Sequence, residues 1–328
     1  MPTIRRLEHA DTLPLPVTGS GPFDFRHTFW KPSHYPTALE AHTADRSWRT
    51  FRIDDLVLGV AVRQEDDRTL VADVHTDGEY KPEHRDRLRR RLIASYGLDE
   101  DLAAFHDLAA RVPLMNAPLA ALAGMRQSCP EDFFEISVIA TLLQNTTIGR
   151  SEQMTRSLLT NYGHLVHFDG ITLRAWFTPA EIADIPAATF RAVDRLGYRD
   201  KYLVALAAFF RDHTSEEVAA MPNRAEVLQQ IKGVGPVTAA VFNSHASRDP
   251  SDYPVDVWSR RIYSQLLFGT DDQDERTIRT RMTELFASYA GTAALYLLEH
   301  QFVGAPVAPL QTPDTIGAWN QALEETTR

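Results

Sequence analysis

Along the first eighty-odd residues, apolar and β-branched positions come in short runs, at 49–53, 56–63 and 69–75. Asp54-Asp55 and Glu65-Asp66-Asp67-Arg68 separate them as polar turns, so the pattern predicts a small antiparallel sheet. A basic segment, His84 to Arg91, then predicts a helix running to about Tyr96 and stopped by Gly97. Its arginines read either as a solvated face or as phosphate contacts. Beyond Gly97 the apolar period becomes helical. Phe133, Phe134, Ile136, Ile139, Leu142 and Leu143 form one stripe, and Met154, Leu158 and Tyr162 a second that ends at Gly163. Leu203, Leu206, Ala207 and Phe210 form a third, and Leu295, Leu298 and Phe302 a late one. These are expected to be core faces. The predicted class is α+β, a small N-terminal antiparallel sheet followed by a mostly helical region.

Composition narrows the class of protein more than its chemistry. With 44% hydrophobic and 24% charged residues in a chain of 328, a soluble globular protein is expected. No apolar stretch approaches the roughly 20 residues that cross a bilayer. Met1 to Arg6 is polar and basic with no apolar core after it, so no signal peptide is expected. The single cysteine, Cys129, leaves no partner for an internal disulfide and no set of thiolates for a zinc or iron–sulfur site. The expected compartment is the cytoplasm. No His/Asp/Glu spacing suggests a metal held by side chains, which sets aside a metal-dependent nuclease. The net charge of −10 weighs against nucleic acid as a partner, unless binding rests on a small footprint.

Two stretches carry candidate chemistry. In Ile231-Lys232-Gly233-Val234-Gly235-Pro236-Val237-Thr238 an apolar helical turn leads into two glycines around one valine, and a second helix follows. The glycines permit a tight hairpin with outward N–H groups, and Pro236 loses nothing at a first-turn position. Amides at a helix N-terminus make a phosphate site that needs few lysines. Twenty-one positions after Gly235, Tyr253-Pro254-Val255-Asp256 ends an extended loop and places Asp256 to cap a helix through Val257, Ile262 and Leu266. As a cap alone Asp256 would contribute about 1 kcal/mol. The hairpin and its spacing suggest more.

Gly-Val-Gly followed by Pro-Val-Asp resembles the helix-hairpin-helix DNA glycosylases. The resemblance extends to Met125-Arg126-Gln127, to the run Gln144-Asn145-Thr146-Thr147-Ile148-Gly149-Arg150, to Leu196-Gly197-Tyr198-Arg199-Asp200-Lys201-Tyr202, and to Tyr289-Ala290-Gly291. These blocks are similar to 8-oxoguanine DNA glycosylase, in the same order, over about residues 90–305. Gly21 to Trp30 faintly resembles the opening of 3-methyladenine DNA glycosylase II. The resemblance implies an N-terminal β domain over 1–85, a helical lobe made of 86–132 and 265–312, a helix-hairpin-helix catalytic lobe over 133–264, and a tail at 313–328. It implies duplex DNA with a damaged base as partner, base flipping, Asp256 as the catalytic carboxylate, and backbone contacts from Lys232, Gly233, Val234, Gly235, Val237 and Thr238. Asn145, Arg150 and Arg199 fall on partner-base positions and Tyr198 on the wedge. A monovalent cation on hairpin carbonyls is implied by relatives. A monomer, nucleoid-associated when bound, is expected.

Two departures shift the expected reaction. Bifunctional relatives carry a lysine nucleophile where this chain has Val237, so water rather than an amine is expected to attack the sugar. On the late helix, Ala294 and Leu298 stand where 8-oxoguanine DNA glycosylase holds a glutamine and a phenylalanine around the base. The expected pocket is roomier, lined by Phe29, Trp30, Val237, Trp258, Ala294 and Leu298, and suited to an alkylated or bulky purine, since cationic purines stack on electron-rich rings. An oxidised purine or bulky adduct is the alternative substrate, and a catalytically silent damage-binding protein is the alternative class.

Overall fold

A computed structural model describes residues 4–33 and 37–304; the expected tail at 313–328 and the end of the 265–312 segment lie outside the described residues. The N-terminal part contains β1 (Ile4–Arg6), β2 (Glu8–Pro16), α1 (Phe25–Phe29), β3 (Glu40–His42), β4 (Arg46–Ile53), β5 (Leu56–Asp66) and β6 (Thr69–Thr76). Five of these strands form an antiparallel sheet in the order β2-β6-β5-β4-β3. The three central strands follow the apolar runs. β2 did not stand out in the pattern because it carries Pro14 and Pro16, which an edge strand tolerates.

Both faces of this sheet are covered. Leu58, Val60 and Val62 of β5 join Phe51, Leu70, Ala72 and Val74 in a core capped by α1 and by α2 (Pro82–Ser95), through Leu88 and Leu92. The alternate residues Val57 and Ala61 pack with Trp48 against a second element, a β-hairpin formed by β7 (His164–Phe168) and β8 (Ile171–Ala175). Leu56 to Val62 therefore reads as a continuous apolar run: a strand buried on both faces cannot alternate. The hairpin's Asp169-Gly170 turn has φ of 46° and 77°, the left-handed pair that a two-residue turn requires. β1 adds to β7 in parallel, Ile4 opposite Leu165, and ties the N-terminus to the hairpin.

The remainder is helical. α3 (Ala103–Ala109) and α4 (Asn116–Leu122) precede α5 (Phe133–Leu143) and α6 (Ile148–Asn161); after the β7–β8 hairpin come α7 (Pro179–Ala183), α8 (Ala187–Ala192), α9 (Asp200–Asp212), α10 (Ser215–Ala220), α11 (Arg224–Leu228), α12 (Pro236–Ser247), α13 (Val257–Phe268), α14 (Glu275–Phe286) and α15 (Ala290–His300). One core gathers α5, α6, α9 and Leu228, Ile231 and Val234. A separate core gathers α3, α4, α14 and α15 with Tyr263 of α13. α5 is buried along nearly its whole length, as its apolar surround predicts. The late stripe is the exception. Leu295 and Leu298 are half-buried, and the fully packed face of α15 is Ala290, Ala293, Ala294, Tyr296 and Leu297. A helix apolar all round takes its inner face from its packing partners rather than from its own period.

Candidate functional site

The hairpin sits between α11 and α12, and its inner residues are core. Ile231 and Val234 point into the helical core, which leaves Lys232, Gly235, Pro236 and Val237 exposed. The two glycines act differently. Gly233 has φ +95°, and a Cβ there would lie 2.2 Å from the Tyr202 ring, so only glycine permits the approach. Gly235 is extended, caps α12, and has open space where a Cβ would stand. Pro236 occupies the first helical position. The N–H groups of Val237 and Thr238 are thus first-turn donors directed away from the helix body.

A second cluster lies where α5 ends. Asn145 turns the chain with φ +47° and its amide donates to the Tyr198 hydroxyl, 3.2 Å away. The Tyr198 hydroxyl donates to the carbonyl of Gln144 at 3.3 Å. The Arg199 guanidinium also donates to that carbonyl and lies 4.6 Å from the Tyr198 ring centroid. Tyr198 meets Tyr202 edge-on at 5.6 Å, and Tyr202 in turn covers Gly233. Sequence positions 145, 198, 199 and 233 are thereby brought into one connected patch. Arg199 is only 7% exposed and acts here as a strut beneath Tyr198 rather than a side chain offered outward. Arg150 lies at the start of α6, donating to the Arg195 carbonyl at 2.7 Å and to Gln153 at 3.2 Å.

Asp256 caps α13. Its Oδ1 accepts from the Ser259 N–H at 2.7 Å, and its own N–H donates to the Ser259 hydroxyl at 2.9 Å. This reciprocal box fixes the carboxylate, and among the described residues the other oxygen has no protein partner. Asp256 is exposed, as are Val257 at 81% and Trp258 at 48%. Of the nine large apolar side chains exposed among the described residues, six (Leu143, Ile148, Tyr198, Val237, Val257 and Trp258) belong to the segments just described. Leu143, Tyr198 and Val237 flank the patch that joins the end of α5 to the hairpin, and exposed apolar side chains gathered in this way mark a binding face.

The proposed base-pocket residues do not all meet. Trp258 packs against Phe302 at 5.4 Å, whereas half-buried Leu298 packs against the core of α3, α4, α14 and α15. Ala294 is fully buried, its carbonyl accepting from Tyr263 at 3.4 Å, so it lines no open space. Phe29 stacks between Phe25 (4.5 Å) and Tyr96 (3.9 Å) in the sheet core and lines, with Trp30 and His42, a cavity of about 220 Å3. Asp24 caps α1 and turns its apolar face toward the sheet. Trp30 follows and packs on His42 at 4.6 Å, a residue of β3. The residue missed as a contributor is Gln144, whose amide nitrogen donates to the Gly233 carbonyl at 2.9 Å and to the Thr238 hydroxyl at 3.0 Å. Nothing in the local pattern distinguished it from any polar residue at a helix end.

The basic segment of α2 is divided: Arg85, Arg89 and Arg90 are exposed, as the solvated-face reading expects, while Arg87 and Arg91 are held by protein partners. Arg87 pairs with Asp54 and Glu216, and Arg91 bonds Glu135 together with the carbonyls of Arg52 and Pro130. These side chains line a cleft of about 580 Å3 at the N-terminal end of α5, the end away from Gln144. Among the described residues no group of three or more His, Cys, Asp or Glu side chains could hold a metal ion, and no helix is long and apolar enough to cross a membrane.

No protein-family model matches the chain. It is 23% identical over 178 residues to a DNA-3-methyladenine glycosylase of Bacillus subtilis, covering 52% of this chain and 58% of that protein. It is 23% identical over 198 residues to a probable N-glycosylase/DNA lyase of Methanothermobacter thermautotrophicus, covering 54% and 63%. The matches thus span less than two thirds of these relatives' own lengths. In fold it is similar to a 3-methyladenine DNA glycosylase from Archaeoglobus fulgidus, with a TM-score of 0.74, 18% identity, and 91% of this chain and 100% of that one covered. An 8-oxoguanine glycosylase/lyase from Clostridium acetobutylicum gives 0.63 at 19% identity, covering 90% and 99%. The sheet, the two helical cores and the hairpin define the α+β fold of those DNA glycosylases. The relatives matched in sequence and the neighbours matched in fold are DNA glycosylases of the helix-hairpin-helix kind that the Gly-Val-Gly and Pro-Val-Asp motifs resemble.

Proposed function

We propose that this protein is a monofunctional DNA glycosylase of base excision repair. In this reading it flips a damaged purine, alkylated or otherwise bulky, out of a duplex and hydrolyses its N-glycosidic bond with Asp256. The observation that carries the reading is an exposed carboxylate with one oxygen held by the Ser259 N–H in a reciprocal capping box and the other free, on a chain whose hairpin offers Val237 where an amine would act. Water attacks the sugar C1′ as the bond to the base nitrogen breaks and its electrons leave with the base. Asp256 takes the proton from the water, or its charge stabilises the oxocarbenium-like transition state. A purine already cationic by alkylation leaves without a strong acid, which suits a site that offers none beside Asp256. The products are a free base and an intact abasic site.

The hairpin amides, with exposed Lys232, would hold a backbone phosphate. Tyr198 would fill the vacated stack, and Asn145 and Arg150 would face the orphaned base, with cytosine as the preferred partner; Arg199 would join them only by leaving the Gln144 carbonyl. A monovalent cation at the turn would share carbonyls already in use, since those of Gly233 and Ile231 accept from Gln144 and Val234; no step above involves it.

The test is mass analysis of bases released from a panel of alkylated, oxidised and bulky-adduct duplexes, run beside Asp256→Asn and with borohydride present. Wild type should release an alkylated or bulky purine without a trapped adduct. Asp256→Asn, which keeps the cap, should lose about 100-fold or more in rate. Efficient trapping would overturn monofunctionality. Equal release by wild type and variant would take the reaction away from Asp256, and no release by either across the panel would leave a binding protein.

A further inference from the structure

Three segments far apart in sequence meet at Gln144. Its side-chain amide donates twice into the hairpin, to the Gly233 carbonyl at 2.9 Å and the Thr238 hydroxyl at 3.0 Å. Its backbone carbonyl accepts from Tyr198 at 3.3 Å and from Arg199. Its own N–H still belongs to α5, donating to the Thr141 carbonyl at 3.3 Å, while the next residue, Asn145, has already left the helix with φ +47°. Gln144 therefore bonds through its side chain to both ends of the hairpin's second half, and through its main-chain carbonyl to the wedge. The bonds are directional, so they set an angle as well as a separation, which apolar contact alone would not do.

We propose that Gln144 is a positioning residue that locks the Tyr198 wedge to the phosphate-holding hairpin, so that insertion into the stack and grip on the backbone occur in one register. The proposal rests on the function argued above for the same face. Gln144 touches neither base nor sugar in this role; it acts through Gly233, Thr238, Tyr198 and Arg199. Without its amide, the hairpin is still anchored by Val234 in the core and by Tyr202 over Gly233. Grip on the phosphate should survive, and the wedge should lose its fixed relation to it.

The test uses a duplex with a tetrahydrofuran abasic analogue opposite dC and 2-aminopurine beside it, which brightens when unstacked by the inserted wedge. The full chain is compared with Gln144→Met, of similar shape without the amide, and Thr238→Val, which removes one of the two acceptors. Wild type should bind and brighten the probe. Gln144→Met should bind within about threefold of wild type, a little less than half of the roughly 1.4 kcal/mol that makes a factor of ten. It should lose most of the brightening, and its single-turnover excision of a 7-methylguanine duplex should fall about 10- to 100-fold, as displacements near 1 Å can cause. Thr238→Val should fall between the two. Wild-type brightening in Gln144→Met would overturn the proposal, as would a wild type that binds without brightening. Should Gln144→Met fail to fold, a wild-type response from Thr238→Val would overturn it and an intermediate one would support it. The fluorescence arm needs no excision, so a wild type that releases no base yet shows the wild-type-to-variant difference would sink the proposed reaction and leave the positioning role standing.

Discussion

Residues with the same name carry different loads in this hairpin. Gly233 is fixed from inside, by a positive φ and by the Tyr202 ring 2.2 Å from where a Cβ would stand. Gly235 is unconstrained inside and faces open space. Gly233→Ala is expected to cost about 2–4 kcal/mol from backbone strain and overpacking together, seen as a lower Tm. Gly235→Ala should keep the fold within about 0.5 kcal/mol, because φ −88° suits alanine. It should instead weaken duplex binding, since the methyl would stand where a phosphate approaches the helix N-terminus. Equal Tm losses in the two variants would show that the second glycine is structural as well.

At the scale of elements, the junction of α2 with α5 holds a buried carboxyl. Glu135 accepts from the Asp132 N–H at 3.0 Å and from Arg91 at 3.1 Å. Burial, reinforced by Asp132, pushes it from the ordinary 4.5 up to about 8. A raised folded value means the folded state holds its proton over a range in which the unfolded chain has lost it. The stabilisation is complete below about 4.5 and is lost as pH rises through about 8. Thermal melts should therefore show stability falling across that window, and Glu135→Gln should remove this part of the slope. A variant with the wild-type slope would place the pH dependence elsewhere.

For the whole molecule, the tension is between a net charge of −10 and duplex DNA as the proposed partner. Much of the positive charge is internally committed: Arg49 bridges Glu40 and Glu131, Arg87 bridges Asp54 and Glu216, and Arg126 is buried against carbonyls. What remains on the binding face is a small set of cations, backbone amides and an apolar patch. Duplex affinity should then depend only shallowly on salt, with a log–log slope of about −2 to −4, and Lys232→Ala should reduce its magnitude by about 1. A slope near −8 would mean a broad basic surface elsewhere on the protein.

Local backbone requirements were readable from the amino acids alone. Gly-Val-Gly-Pro dictates a tight turn and a helix start, Pro-Val-Asp dictates a capped helix, and the runs at 49–53, 56–63 and 69–75 dictate strands, because each follows from the conformational limits of a few adjacent residues. The β7–β8 hairpin corrects the reading that the chain is helical beyond Gly97: its two short strands and their Asp169-Gly170 turn sit among helical stripes and take their place from packing on the sheet. Non-local pairing was not readable: β1 joins β7 in parallel across some 160 residues, a choice no local pattern encodes. Orientation was not legible either. Phe29 turned into the sheet core, Ala294 into the packed face of α15, and Arg199 beneath Tyr198, because each side chain's surroundings come from elements distant in sequence. The hairpin and Asp256 were thus determined by the sequence itself. Gln144 acquired its place only when α5, the turn before α9 and the hairpin came together, since a hydrogen bond acts only where folding brings donor and acceptor within about 3 Å.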